Sequence, residues 1–239
     1  MSEPEGPEHS SIVGRMLGAA TLPAVSDELE PFLQAAIGGS FSVLHEIASD
    51  YIHLDVLVFP PNSTSPCWTF VSSGVSSKPM RVQGMSEAER YQFAEVVLKL
   101  PPDWFSVASN GLGMEEDELR DQAKYWPIGV LSFVGRAPHQ YGFWIGQGHS
   151  LPNGDPPDTY TPDVPFSGLV LEAVEGWRGG MSEMTTSIRR TINFLALNFV
   201  YPDEMDFKLQ AGAEALREKM RKAKVGQILS VGRQSVMRG

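Results

Sequence analysis

The stretch HSLPNGDPPD, at residues 149–158, brings together side chains whose types could do chemistry. A histidine beside an aspartate can act as an acid–base pair, a role open to His149 with Asp155 or Asp158. The oxygen atoms of Asn153, Asp155 and Asp158 could instead hold a hard cation such as calcium. Neither site is complete in the sequence, because no nucleophile accompanies the pair and the spacing matches no calcium-binding loop.

The same stretch is typical of a stiff turn. The run Pro-Asn-Gly at residues 152–154 presets one backbone angle and tolerates a left-handed one. The two prolines that follow Asp155 donate no amide hydrogen, so the stretch cannot pair as a central strand. We expect the Asp155 carboxylate to accept hydrogen bonds from nearby turn amides. Three interpretations stay open: an enzyme or metal loop, the rigid rim of a binding surface, and a purely architectural turn.

The rest of the sequence offers little further chemistry. No nucleophile elbow, phosphate-binding loop, paired zinc ligands or Cys-x-x-Cys motif occurs in it. The lone cysteine, Cys67, lies in a β-rich run and is predicted to be a buried thiol. The histidines are too dispersed for a zinc site, so no metal or cofactor is expected. Trp126 and Trp144 precede the loop and are candidate aromatic supports for it.

Composition and charge narrow the class of protein. The 239 residues are 42% hydrophobic and 20% charged, which suits one large domain or one domain with appendages. The net charge is −10, and residues 211–239 hold seven Lys or Arg against two Glu, which leaves −15 for residues 1–210. An acidic body repels phosphates, which argues against nucleic acid as a partner. The basic end is interpreted as a solvated helix end rather than an arm for an acidic partner.

The sequence contains no recognisable signal for export or for membrane insertion. No apolar run approaches the roughly 18 residues of a membrane helix. The N-terminus has neither the basic flank nor the apolar core of a secretory signal. A single cysteine suits a reducing compartment. We therefore expect a soluble cytoplasmic protein that does not bind membranes.

Hydrophobic periodicity predicts helices and strands in an interspersed order. The predicted helices are 26–37, 41–48, 115–125, one that opens at Pro127 and one that runs from Pro202 into the basic end. The predicted strands are 52–59, 67–73, 90–100, 142–149, 166–174 and 191–201, the first two forming a hairpin on which His53 and Asp55 pair. Because the order is not a strict βαβα alternation, the predicted fold class is α+β, a mixed α/β sandwich with a central mixed sheet flanked by helices.

Long collinear pieces of the sequence resemble the suppressor of fused domain family. They are HEIASDYIHLDVLVFPP (45–61), WTFVSSGVSSKPM (68–80), LPPDW (100–104), WPIGVLSFVGRAPHQYGFWIGQGHSLPNGDPPDTY (126–160) and INFLALNFVYPDEMDFKLQAG (192–212). The similarity implies a mixed α/β fold and no known enzymatic activity. It divides the chain into an extended or disordered arm (1–25), the domain (26–215) and a basic helix end and tail (216–239).

The resemblance also implies a function. Eukaryotic members bind transcription factors and carry an added C-terminal domain, whereas this chain is similar to the single-domain bacterial form, whose context points to toxin–immunity systems. The implied protein is non-catalytic and binds and neutralises or regulates a partner protein, such as a basic toxin domain. The binding residues we expect from the stiff loop and its neighbours are Trp126, Trp144, His149, Asn153, Asp155 and Asp158. The alternative is a hydrolase-like or metal-binding enzyme that uses His149, Asp155 and Asp158.

Overall fold

The computed structural model describes residues 25–45, 51–109 and 113–238. The predicted arm, residues 1–25, lies outside this part of the chain except for Val25, where the first helix begins. The helices are α1 (Val25–Ile37), α2 (Gln122–Tyr141), α3 (Pro202–Ala211) and α4 (Ala213–Lys222). The strands are β1 (Ser42–Leu44), β2 (Asp55–Phe59), β3 (Trp68–Ser73), β4 (Phe93–Leu100), β5 (Ser150–Pro152), β6 (Gly168–Ala173), β7 (Glu183–Thr185) and β8 (Thr191–Val200).

Within the described residues, the strands form one mixed sheet in the order β1-β2-β3-β4-β8-β6-β5, with β7 pairing to β8 beside this path. β4 and β8 run parallel, with Val96 opposite Leu195, and the other pairs are antiparallel. The predicted hairpin of β2 and β3 is confirmed, with Leu57 opposite Val71. The predicted α+β class with a central mixed sheet is also confirmed.

Side-chain alternation gives the sheet two apolar faces. Ala94, Val96, Leu98 and Leu100 of β4 pack on the face that α2 covers. Val97 points to the opposite face, which α1 covers. All eight residues of β4 are buried, because strands flank it on both sides and helices lie over both faces. β4 is therefore the centre of the core.

The two covering helices bury the stripes that their sequences predict. Leu29 and Leu33 of α1 and Leu131 of α2 are fully buried. α2 begins earlier than expected, because the Asp121 carboxylate caps its first turn by accepting from the amide of Ala123 at 2.9 Å. The proline predicted to open the helix thus lies inside it.

The predicted helix at residues 41–48 was wrong in its described part. Ser42–Leu44 is the edge strand β1, and Val43 lies opposite Leu57 of the hairpin. A three-residue strand has almost no periodicity of its own, so its structure is decided by the neighbouring hairpin. Residues 46–48 lie outside the described part of the chain.

The predicted glycine-rich strand at residues 142–149 was also wrong. Gly142 and Gly148 adopt left-handed backbone angles, with φ values of 72° and 81°, which end α2 and break the extended run. The strand that does form, β5, begins only at Ser150. Residues 115–125 do not form the separate helix that was predicted. Glu116–Arg120 is instead a 3-10 helix that leads into α2.

The C-terminal part of the chain packs against the sheet. Gly212, at φ 91°, splits the single helix that was predicted into α3 and α4. Leu216 of α4 is buried against Val170 and Val200. Beyond α4 the chain returns to β4, where the amide of Leu229 donates to the carbonyl of Lys99 at 2.9 Å. The division of the chain at residue 215 stays a prediction, and these contacts cross it.

Candidate functional site

An apolar groove of about 340 Å³ runs between α2 and the edge strand β5. One wall is a stripe of α2 and the other is β5 with the turn that follows it. The lining residues are Trp126, Gly129, Val130, Phe133, Val134, Leu151, Pro152, Asn153, Gly154, Tyr160 and Leu169. β5 pairs only with β6, so its other edge is open among the described residues.

The floor of the groove is an aromatic stack. The ring of Trp126 stacks on Tyr160 with centroids 5.3 Å apart and meets the edge of Phe199 at 4.9 Å. Burial raises the pKa of the Tyr160 hydroxyl far above its usual value, so this ring stays neutral. Interlocked rings have few alternative positions, so the groove is preformed.

One aromatic side chain of the groove, that of Phe133, is exposed to solvent. Phe133 is 48% exposed and lies on the same helical stripe as Trp126, Gly129 and Val130. This spacing of i, i+3, i+4 and i+7 is visible in the sequence as a second apolar stripe beside the buried one. This second stripe was not predicted, because the hydrophobic periodicity of the helix was assigned only to the stripe that faces the core.

The stretch 149–158 is anchored at its start. The carbonyl of His149 accepts from the amide of Leu171 at 2.8 Å, and Leu151 lies opposite Leu169 in the sheet. The hydroxyl of Ser150 accepts from Lys208 of α3 at 2.9 Å. The groove wall is therefore tied both to the sheet and to a helix on its other side.

The turn after β5 is held by Asn153 and Asp158. The Asn153 side-chain amide donates to the Asp158 carbonyl at 2.9 Å, and the Asp158 amide donates to the Asn153 carbonyl at 2.8 Å. The Asp158 carboxylate accepts from the amide of Thr159 at 2.7 Å. Asp155 is exposed and accepts no hydrogen bond from the described residues. The acceptor role that we expected of Asp155 thus belongs to Asp158.

His149 and Trp144 form a separate cluster. Their rings meet edge to face with centroids 4.3 Å apart. The ring of Tyr91 also contacts Trp144, with a centroid distance of 5.9 Å. Burial lowers the pKa of His149, and a hydrogen bond with the Trp144 backbone opposes that shift only in part. None of the described hydrogen bonds joins His149 to Asp155 or Asp158.

The structure therefore divides the expected site residues into three groups. Trp126 and Asn153 line the groove, Trp144 and His149 contact each other, and the two aspartates lie exposed on the turn. Among residues 25–45, 51–109 and 113–238, no three His, Cys, Asp or Glu side chains converge in a way that could hold a metal ion. What the arrangement can do physically is accept an apolar side chain beside an acidic rim.

The fold and the groove define a mixed-sheet α+β domain with a preformed apolar cleft at one edge of its sheet. The family model described as "Suppressor of fused protein (SUFU)" matches residues 50–234. The chain belongs to the suppressor of fused family.

Solved structures share this fold. A chain of the Sufu–Fu complex crystal structure superposes with a TM-score of 0.60 at 16% identity, with 90% of this chain and 93% of that chain covered. A SUFU homologue from Neisseria gonorrhoeae FA 1090 gives 0.57 at 15% identity, with 89% and 94% covered. Drosophila Suppressor of Fused gives 0.52 at 18% identity, with 80% of this chain and 44% of that chain covered. At such identities the likeness concerns the fold alone.

No curated protein matches the chain. In the part of the chain that the structure describes, no helix combines the length and the apolar character that a membrane crossing needs.

Proposed function

We propose that this protein is a non-catalytic binding domain that seats an extended, basic segment of a partner protein in the groove between α2 and β5. The observation that carries the proposal is the groove itself, which is preformed, apolar and bounded by an open strand edge. Membership of the suppressor of fused family supports it, because a Sufu chain has been crystallised in complex with Fu.

The groove offers the groups that a protein segment needs. The open edge of β5 leaves backbone groups for strand addition, in which main-chain hydrogen bonds give affinity and side-chain pockets give specificity. Phe133 and Trp126 supply aromatic surface of the kind that dominates binding energy. Because the walls are already ordered, association costs less conformational entropy.

Charge favours a basic partner. Asp155 and Asp158 are exposed on the turn that borders the groove, and residues 1–210 carry a net charge of −15. A field of this sign accelerates encounters with a cationic protein and weakens as salt is added. On the basis of this charge and of the family, we propose that the protein neutralises or regulates a basic partner, such as a toxin domain, in the cytoplasm.

The enzyme alternative lacks support from the geometry. A general base must reach the proton that it removes and needs a partner to orient it. The ring of His149 packs on Trp144, and its described contacts include neither aspartate. A broad hydrolase screen checks this directly, because activity that disappears in His149→Ala would revive the alternative.

The test of the proposal uses the purified full chain. A partner captured from the native host is identified, purified and titrated against the wild type by isothermal calorimetry. We expect Phe133→Glu to weaken the affinity about a hundredfold, since it places a charge in an apolar pocket.

The matched control is Leu209→Glu, which puts the same charge on an apolar residue of α3 that is 68% exposed and is not among the residues that line the groove. It should leave the affinity within about twofold. The assignment would be contradicted if the two variants weakened the affinity equally, or if Phe133→Glu left the affinity for a stable partner unchanged.

A further inference from the structure

A second cleft, of about 650 Å³, lies at the C-terminal end of α2 and shares no lining residue with the groove. It is bounded by the segment after β3 and by the last residues of the helix. Lys78, Arg81 and His139 line it, and no aspartate or glutamate is among its described lining residues. Because the chain has a net charge of −10, a cleft whose described charged residues are all basic differs from the acidic character of the chain as a whole.

The walls of this cleft are fixed by the fold. The amide of Met80, a buried residue, donates to the carbonyl of Gln92 at 2.7 Å. His139 bonds through Nε2 to the carbonyl of Val75 at 2.8 Å. Gly142 closes the helix in a left-handed conformation, and its amide donates to Pro138 at 2.9 Å. The cations therefore project from an ordered frame.

Lys78 and Arg81 can each donate further hydrogen bonds to an anion. The Lys78 ammonium donates to the carbonyl of Tyr51 at 2.7 Å, which uses one of its three hydrogens. Arg81 lies over Gly142, where an added Cβ would be 3.7 Å from its guanidinium, and it makes no ion pair within the described residues. The planar guanidinium can hold one carboxylate through two parallel hydrogen bonds.

Two aromatic rings border the same cleft. Tyr51 is 44% exposed and Tyr141 is 61% exposed, which are high values for large side chains. Aromatic side chains beside arginine are the composition that marks binding surfaces rather than ordinary surface. The rings offer contact to an apolar or aromatic residue that lies between two acids.

We propose that this cleft binds an acidic peptide segment of a partner protein, with carboxylates on Arg81 and Lys78 and a central side chain between Tyr51 and Tyr141. A short acidic segment is favoured over nucleic acid or an anionic membrane because those extended polyanions would also meet the acidic body. A segment confined to the cleft experiences mainly the local cations, since charges beyond about 8–10 Å are screened.

The test follows backbone amide resonances of the full chain during titration with the peptide acetyl-Glu-Asp-Tyr-Asp-Glu-amide. The matched neutral peptide is acetyl-Gln-Asn-Tyr-Asn-Gln-amide. We expect saturable shifts at residues 78–81 and 139–142 with the acidic peptide alone. Arg81→Gln with Lys78→Gln should weaken binding at least about tenfold, because the charge-assisted bonds are lost.

The control variant removes two cations elsewhere. Arg221→Gln with Lys222→Gln changes the net charge equally on α4 and should alter the affinity less than about twofold. Unchanged thermal unfolding of both variants verifies that they fold.

Several outcomes would overturn the proposal. They are no binding at low salt, equal binding of the neutral peptide, equal weakening by the control, or tighter binding to an oligothymidylate or to phosphatidylserine vesicles than to the peptide.

Discussion

Two carboxyl groups, those of Glu95 and Glu204, are completely buried, and the chain holds them in different ways. Glu204 forms a paired ion bridge with Arg233 at 2.6 Å. Within the described residues Glu95 has no cationic partner, and it instead accepts four hydrogen bonds from Ser72 at the end of β3 and from the segment that follows, two from hydroxyls and two from amides. Glu95 thus fastens the segment after β3 to β4, and Glu204 fastens the C-terminal segment to α3.

Glu95 also explains a glycine. The amide of Gly74 donates to the Glu95 carboxylate at 3.1 Å, and its φ of 141° brings it against the backbone of His53. A Cβ built at this position would lie 2.0 Å from the His53 carbonyl oxygen. Only glycine fits there, so the network fixes both a conformation and a residue type.

Replacement of Arg233 by alanine should destabilise the fold by about 3–5 kcal/mol, because it leaves the buried Glu204 carboxylate without its cation. The guanidinium also lies 5.0 Å from the Phe166 ring centre and 4.9 Å from that of Tyr201. Arg221→Ala removes an exposed pair and should cost less than about 1 kcal/mol. Urea unfolding measures both, and a similar small loss in each would show that the buried bridge is not a structural anchor.

The ionisation of Glu95 should contribute to the pH dependence of the unfolding free energy. Burial raises the pKa of its carboxyl above the usual 4.5, with the four hydrogen bonds opposing that shift. A raised folded-state pKa means that the contribution to stability is complete below about 4.5 and declines as pH rises toward the folded value.

We therefore expect the unfolding free energy of the wild type, relative to Glu95→Gln, to fall as pH increases from about 4.5 and then to level off. Denaturant unfolding of both proteins over a pH series gives this difference. A difference that rises with pH would mean that the hydrogen bonds outweigh burial.

Neither network could be read from the sequence. Glu95 sits in the apolar run FAEVVLKL, where a single acid suggests an exposed position. Its donors Ser72 and Ser76 lie 23 and 19 residues earlier, and only the pairing of β3 with β4 brings them close. Arg233 was similarly taken as part of a solvated basic end, because its partner is 29 residues away.

The turn after β5 is a self-contained element whose rigidity comes from a small set of bonds. Asn153→Ala should lower stability by about 1 kcal/mol, because its side chain bridges the turn to the Asp158 carbonyl. Asp155→Ala should change stability by no more than about 0.5 kcal/mol, since Asp155 is exposed and makes no described hydrogen bond. Thermal unfolding ranks the two, and a larger loss for Asp155→Ala would reverse our account of the turn.

Secondary structure was predictable where the pattern was long. β2 and β4 follow from alternation, β3 and β8 follow from β-rich or apolar runs of six to ten residues, and the stripe of α2 follows from helical spacing. β1 and β5 were missed because each has three residues and exists only through its neighbour. The groove depends on β5, so its location could not be predicted even though several of its residues could.

Taken together, α2 borders two surfaces of opposite character. Its middle forms the apolar groove with the acidic turn nearby, and its last residues form the cleft lined by Lys78 and Arg81. A partner with a basic extended segment and an acidic one could contact both. The net charge of −10 sets the overall preference, while the local residues set where each segment lies.

Hydrogen–deuterium exchange on the complex with its purified partner shows whether the partner binds in the groove between α2 and β5. We expect protection of peptides that cover residues 126–134 and 150–160, where α2 and β5 line the groove. Peptides from α1, on the opposite face, should exchange as they do in the free protein. Protection confined to α1, with residues 126–134 and 150–160 unchanged at saturating partner, would contradict binding in the groove.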